Sequence, residues 1–295
     1  MLLNWVNIPN YLPRLAEINN LYILVNDKLL KTLRSAYDDI KSTTGINNFA
    51  KKYGFGKSTM TAVMRGEILP SLKLIKSLSE NVEWDLWSLV YEQVEFIRGK
   101  TYSNTIRIPK ILTKDLAYLL GGYRDGSLVH YSYVYELEFG QKKQQWLEKT
   151  IKPKMKNVFG IEVKVKKRKN GSYVIRKRSK AIYLILKEFL SYEKDYLLTP
   201  VIIKNAPFEI QKYYIAGFYD AEGRKNKKDM NFYQQWYESN RCPSLDDIKE
   251  ILMRRKIKTK YYKIKPQNNA FLFTLHLEGE TKGKFLNEIP LEISF

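Results

Sequence analysis

Two carboxylates draw attention first, because each closes an apolar stretch and is followed directly by glycine: Asp125 in LAYLLGGYRDG and Glu222 in IAGFYDAEG. In the second stretch Tyr213, Ala216, Gly217 and Asp220 recur at the i, i+3, i+4, i+7 spacing of one helix face, and two of them are small enough to let another backbone approach. Such a face predicts a partner helix, and the first stretch supplies one, with Leu120 and Gly121 facing Ala216 and Gly217. A glycine just after the acid suits the left-handed position past a helix C-terminus. A carboxylate at that end meets the negative pole of the helix dipole, which is unfavourable without a cation, and a divalent metal is the simplest one. Phosphodiester hydrolysis needs a positioned water, a Lewis acid on the phosphate and a stabilised leaving oxygen, and two acids at adjoining helix ends can hold the metal for it. Taken alone, each stretch is equally an amphipathic helix with a capping glycine. The elements that follow each copy weigh against that plainer reading.

Composition narrows the partner. The chain has 295 residues, room for about two domains, and 51 basic against 31 acidic residues leave a net charge of +20. So large a charge favours a polyanion, with nucleic acid ahead of a membrane surface. No apolar run reaches the length of a membrane span, and the start lacks a basic region followed by a cleavage site, so the expectation is a cytoplasmic protein without membrane contact. Cys242 is the single cysteine, and His130 and His276 are the only imidazoles; internal disulfides, zinc sites and Cys or His nucleophiles are not expected.

The elements that must position the acids repeat. After Asp125, strand-like segments over 128–139 run into Gln141, a helix carries Trp146, Leu147 and Ile151, strands over 161–168 and 172–178 flank Asn170-Gly171, and a helix covers 181–192. After Glu222 come a strand over 230–234, a helix over 245–255, strands over 258–265 and 269–277 around Pro266-Gln267-Asn268, and a short helix over 282–288. The lysine-rich run RKNKKD is expected to shorten the first strand of the second unit. Alternation in 161–166 puts Ile161, Val163 and Val165 on one face and Lys164 and Lys166 on the other, with Arg168, Arg176 and Arg178 continuing the cationic side. The second hairpin carries Lys258, Lys260, Lys263 and Lys265. A cationic two-stranded ribbon fits the major groove of duplex DNA.

Upstream, residues 46–80 hold two short helical patterns around a glycine turn. Ala50, Gly54, Met60 and Val63 occupy the small, turn and inner-face positions of a helix-turn-helix, Ser58 is placed to cap the second helix, and Gly66 ends it. This stretch resembles the phage-repressor class of helix-turn-helix domains, which implies that Lys57, Thr59, Thr61 and Arg65 face DNA; a helical bundle used only for packing remains the alternative. A Trp-rich helix is expected to run on to Gly99, and GKTYSN is read as a linker, giving an all-α domain over 1–100 and two units over 101–207 and 208–295.

With the acids, glycines and repeated element order in hand, the chain resembles the LAGLIDADG homing endonucleases in their single-chain, two-motif form. The second copy matches the nine-letter motif at every position by residue type. The first is looser: aligned on Asp125 and Gly126, its glycines do not fall opposite Gly217, and Tyr123 stands where the inner acid belongs. The resemblance implies an α+β fold in which two pseudo-symmetric αββαββα units form a β-saddle over double-stranded DNA. It implies that Asp125 and Glu222 bind two or more Mg2+ ions, for which Mn2+ can substitute, that Gln141 and Gln234 end equivalent strands and orient water, and that a basic residue assists, for which Lys204 is the candidate. Metal-dependent double-strand cleavage by a monomer, with no small-molecule substrate, follows from it. An intein's N-terminal nucleophile and C-terminal His-Asn pair are missing, so a freestanding protein is expected. A non-cleaving transcriptional regulator and an RNA maturase that assists intron splicing stand as alternatives on the same scaffold; the retained pair of acids favours the nuclease.

Overall fold

Asparagine, serine and glycine set the limits of the N-terminal helices. The computed structural model describes residues 6–18, 20–100, 104–225 and 230–292, without the side chains of residues 125, 224, 225 and 261–263. After β1 (Val6–Asn7), α1 (Leu12–Leu15) and β2 (Leu21–Ile23), the Asn26 Oδ1 accepts from the Leu29 amide at 2.8 Å and opens α2 (Asp27–Thr43), which buries Leu29, Leu33, Ala36 and Ile40. Next come α3 (Ile46–Tyr53) and α4 (Lys57–Arg65). Gly54 and Gly66 close them with φ of 72° and 80°, the left-handed conformation that favours glycine. Ala50, Met60 and Val63 point into the core as their spacing requires. Ser58 is not the cap: α4 starts from Gly56, which has no side chain to offer.

The region is not all-α. Beyond α5 (Leu72–Ser79) and α6 (Leu86–Gln93) the chain leaves the helix at Val94, with ψ of 133°, and continues as β3 (Phe96–Gly99). The expected helix to Gly99 therefore stops early, because residues 96–99 find hydrogen-bonding partners far away in sequence. β3 lies between β2 and β4 (Ile106–Arg107), and β1 pairs with β5 (Ile111–Leu112), Val6 opposite Leu112. Strand pairs thus cross the expected boundary near Lys100, and residues 101–103 of the expected linker lie outside the described residues. The Tyr11 hydroxyl donates to the Pro109 carbonyl at 3.2 Å, and its ring meets Phe189 edge-on at 5.2 Å. One apolar core runs from Ile8 to Ile289.

Thr113 caps α7 (Lys114–Gly122), which tightens into a 3-10 turn (Tyr123–Asp125). There follow β6 (Gly126–Tyr131) and β7 (Val134–Gln141). A helix then opens as α8 (Gln144–Trp146), passes through a π turn (Leu147–Ile151) and closes as α9 (Lys152–Phe159). β8 (Val165–Lys167), β9 (Tyr173–Arg178) and α10 (Lys180–Phe189) complete the first set. A small hairpin, β10 (Tyr192–Glu193) and β11 (Tyr196–Leu197), and α11 (Val201–Lys204) lead to α12 (Phe208–Glu222). The second set is β12 (Gly223–Lys225), β13 (Met230–Trp236), α13 (Pro243–Arg254), β14 (Thr259–Gln267), β15 (Ala270–Leu277) and α14 (Lys282–Glu288).

Two antiparallel four-stranded sheets result, ordered β6-β7-β9-β8 and β12-β13-β15-β14, each beginning with the strand that leaves a motif helix. β12 has three residues against six in β6, and residues 226–229 of the lysine-rich run lie outside the described residues. Three expectations are corrected. Residues 161–164 alternate as foreseen, Ile161 and Val163 buried, but only 165–167 pair as strand. β14 extends through Pro266 to Gln267, so the turn falls at Asn268-Asn269, with Asn268 at φ of 55°. β13 runs on to Trp236, so Gln234 lies inside its strand, whereas Gln141 does end β7.

Candidate active site

Small residues bring α7 and α12 together. A Cβ built on Gly121 would lie 2.0 Å from the Tyr214 carbonyl oxygen, and one on Gly217 would lie 2.1 Å from the Tyr118 carbonyl oxygen. The contacts are reciprocal, Gly121 also meeting the Phe218 amide and Gly217 the Gly122 amide. Backbone therefore packs on backbone, with Leu120 and Ala216 buried beside it. The inner acid of the second motif serves this crossing. Asp220, 3% exposed, accepts from the Tyr118 hydroxyl at 2.5 Å and from the Glu292 amide at 2.8 Å, and Tyr118 in turn accepts from the Trp146 indole at 2.8 Å. Burial, with the Asp220 charge beside it, raises the Tyr118 hydroxyl far above the ordinary tyrosine range, so it stays a donor.

Reciprocity at the glycines resolves the mismatch between the motifs. Gly121 matches Gly217, and the first motif then reaches its acid one residue sooner. The 3-10 turn absorbs that residue: three residues rising about 2.0 Å each advance as far as four α-helical residues rising about 1.5 Å. Both chains enter their sheets in the same register, Gly126 opposite Phe139 and Gly223 opposite Phe232. Tyr123 and Tyr219 pack edge-on against those phenylalanines at 5.4 and 5.0 Å. Neither Gly126 (φ −115°) nor Gly223 (φ −83°) is left-handed, contrary to expectation. They are glycines for want of space. A Cβ on Gly223 would lie 2.3 Å from the Tyr219 carbonyl oxygen, and one on Gly126 would lie 2.8 Å from the Tyr123 ring.

The two motif ends open onto one cleft of about 960 Å³, lined by Glu222, Gln234 and Lys187, by Tyr192 and Tyr196 of the small hairpin, and by Arg124 and Gly126, the neighbours of Asp125 on either side. The Asp125 side chain itself lies outside the described residues. Burial pushes the Glu222 carboxyl up to about 7, against the opposing pull of the Arg124 guanidinium, and among the described residues Glu222 forms no ion pair. Arg124, overlooked in the sequence, is the most connected side chain here. Its Nη1 donates to the Leu197 carbonyl at 2.7 Å and to the Gln234 Oε1 at 3.1 Å, its Nη2 donates to the Tyr214 hydroxyl at 2.9 Å and the Leu198 carbonyl at 3.3 Å, and the group lies 4.6 Å from the Phe218 ring centre. The only sequence signal for it was its place beside an acid in the irregular motif. No cluster of three or more His, Cys, Asp or Glu occurs among the described residues. A hard divalent ion nevertheless fits this oxygen-donor edge, since magnesium typically takes one or two carboxylates and completes its shell with water and phosphate.

The remaining candidates divide by location. Lys204 is drawn away from the cleft and pairs with Asp247 at 2.9 Å. Gln141 lies in the first sheet, where its Oε1 accepts the Lys142 amide at 2.7 Å. Arg168, Arg176 and Arg178 are not the unpaired cations foreseen. β7 sets Glu138 opposite Arg176 and Glu136 opposite Arg178; Glu138 pairs with Arg168 and Arg176, and Glu136 with Arg178 at 3.0 Å. Lys164 and Lys166, and on the second sheet Lys258, Lys260 and Lys265, are exposed, while the Lys263 side chain lies outside the described residues. On α4, Lys57, Thr59 and Arg65 are exposed, and Thr61 is half-buried with its hydroxyl donating to the Lys57 carbonyl at 3.0 Å.

Parts of the chain are similar to known proteins. Residues 209–290 match the family described as the LAGLIDADG-like domain. Over 114 residues the chain is 35% identical to homing endonuclease I-ApeI of Aeropyrum pernix, a stretch covering 37% of this chain and 51% of that protein, so the chain spans about half the length of its relative. Among solved structures, I-DmoI in complex with DNA and calcium is 18% identical with a TM-score of 0.47, over 60% of this chain and 90% of the other. The N-terminal LAGLIDADG domain of DUF199/WhiA is 14% identical with a TM-score of 0.40, over 62% and 83% of the two chains. No helix among the described residues is long and apolar enough to cross a membrane.

Proposed function

We propose that this protein is a site-specific endonuclease that binds double-stranded DNA as a monomer and makes metal-dependent breaks in both strands. The observation carrying the proposal is the half-buried Glu222 carboxylate, with no ion pair among the described residues, at the end of α12 in the cleft that also receives the neighbours of Asp125. Similarity to a homing endonuclease supports it.

In this reading Glu222 and Asp125 each supply carboxylate oxygens to magnesium, or to manganese in its place. The bound metal supplies Lewis acidity at the phosphate and acidifies a water. Glu222 must lose its proton to do so, and its raised pKa places that loss near neutrality. Gln234 provides an amide in the cleft with Glu222, Gln141 holds the matching place at the end of β7, and the close packing of α7 on α12 fixes the two motif ends against each other. Exposed lysines of the two sheets hold the phosphate backbone. The α3–α4 pair adds affinity through Lys57, Thr59 and Arg65, as a helix-turn-helix would. Residues 1–100, 101–207 and 208–295 are the proposed functional units.

One observation favours a second reading, a non-cleaving DNA-binding regulator: Arg124 already brings a positive charge to Glu222. Incubating the protein with Mg2+ and a plasmid carrying the DNA that flanks its own gene separates the two. Linear product that chelation abolishes supports the nuclease; tight binding with an intact plasmid supports the regulator.

A further inference from the structure

Arg124 has more partners than a merely structural arginine needs, and one of them is a group beside the acid. Its contacts join four elements: the 3-10 turn that carries it, the carbonyls of Leu197 and Leu198 at the end of the small hairpin, Tyr214 on α12, and Gln234 on β13. A guanidinium has donors and no acceptor, so the amide atom facing it must be the oxygen of Gln234. That fixes the amide. Its Nε2 donates to the Gln235 carbonyl at 3.2 Å, and its second N–H remains for the cleft that Gln234 lines. The other half is built differently, since the Gln141 oxygen takes the amide of its own neighbour, Lys142, at 2.7 Å.

We propose that Arg124 is a positioning residue, which turns Gln234 so that an amide N–H, rather than the carbonyl oxygen, meets the ligand in the cleft. An N–H in that place matches an acceptor such as a phosphodiester oxygen. Gln234 would thus grip the backbone next to Glu222, and the same guanidinium holds the hairpin wall bearing Tyr192 and Tyr196 against the motif helices. The inference rests on the nuclease reading for the identity of the ligand, whereas the Arg124–Gln234 contact can be tested without it.

The first test uses the metal-free, 15N-labelled full chain. The Gln234 side-chain NH2 resonances are identified by their loss in Gln234→Ala. In the wild type they should be dispersed and slow to exchange; in Arg124→Met they should move to the solvent-exposed average. Arg124→Lys, which keeps the charge and guards against a variant that does not fold, should resemble Arg124→Met, because an ammonium cannot span four acceptors. Unchanged Gln234 resonances in either folded variant overturn the proposal. The second test is a double-mutant cycle on strand-specific cleavage at saturating DNA in Mg2+. Arg124→Met and Gln234→Ala should each slow the strand served by Glu222 by about 10- to 100-fold, and the double variant little more than either alone. Purely additive losses overturn it, as they mean that Arg124 acts only on the fold. If the wild type does not cut, the nuclease reading fails while the amide test still decides the positioning role.

Discussion

The two four-stranded sheets share a strand order and differ in how their charge is used. On the first, Glu136 and Glu138 of β7 face Arg178 and Arg176 across the register and tie up the cations of β9. On the second, Asn231 of β13 stands at the place of Glu138, and Lys260 and Lys265 of β14 enter no ion pair among the described residues. The motif ends differ in the same sense. The α12 end carries its acid on a full helical turn, with a buried inner acid behind it; the α7 end is one residue shorter and sends Arg124 across to the other half. Similar topology therefore does not make equivalent surfaces. The first sheet spends the arginines of β9 on its own glutamates and leaves Lys166 of its edge strand exposed, as the second leaves Lys260 and Lys265.

The largest effect is expected where the halves are most alike. Gly217→Leu and Gly121→Leu should each prevent folding or cost well above the usual range of about 1–3 kcal/mol for overpacking, because the new side chain meets backbone that cannot yield. Urea denaturation measures this; a mild loss at one glycine alone would mean that the reciprocity is only apparent.

Next come the acids. Glu222→Gln and Asp125→Asn should each keep DNA binding in Ca2+ and reduce cleavage of one strand by orders of magnitude. Strand-labelled substrates test this directly. An Asp125→Asn protein that cuts both strands at the wild-type rate would leave the α7 end as packing alone.

A pH experiment sharpens the contrast through Glu222. Its carboxyl titrates near 7 in the folded protein against an ordinary 4.5, so between those values the folded state holds more protons than the unfolded. The metal-free protein should accordingly be more stable at pH 5 than at pH 8, losing stability as pH rises through about 7. Glu222→Gln should remove that slope and raise the melting temperature at pH 8 while slowing cleavage of its one strand. A wild-type stability profile that is flat from pH 5 to 8 would contradict it.

Smaller effects separate the sheets. Removing Lys260 and Lys265 together should lower the slope of log affinity against log salt by about 0.9 for each lost phosphate contact. Removing Arg176 and Arg178 should change it less, since each is already neutralised by glutamate. Equal changes would mean that DNA displaces the glutamates. Smallest of all, Lys57→Ala or Arg65→Ala on α4 should weaken binding a few-fold without altering cleavage at saturation. Point variants test this better than truncation at residue 100, because β1, β3 and Tyr11 are built into the rest of the fold.

What the sequence by itself determined was whatever depends on neighbours along the chain. The period of Leu29, Leu33, Ala36 and Ile40, the glycines at 54 and 66, the helix pair with its small face, and the two acids are local patterns, and local physics sets them. The tertiary structure decided whatever depends on what lies opposite. Residues 96–99 became strand because Leu21 to Ile23 and Ile106 offered partners. Gly126 and Gly223 proved to be needed for space rather than for a left-handed turn. Lys204 went to Asp247, and Arg176 and Arg178 of β9 went to glutamates 38 and 42 residues away in sequence. Arg124 is the clearest case: no spacing rule marks it, since its partners lie 73 to 110 residues further along the chain. Hydrogen-bond acceptors gathered from four elements exist as a set only after the elements have packed, so the residue that binds them together is legible only in the folded protein.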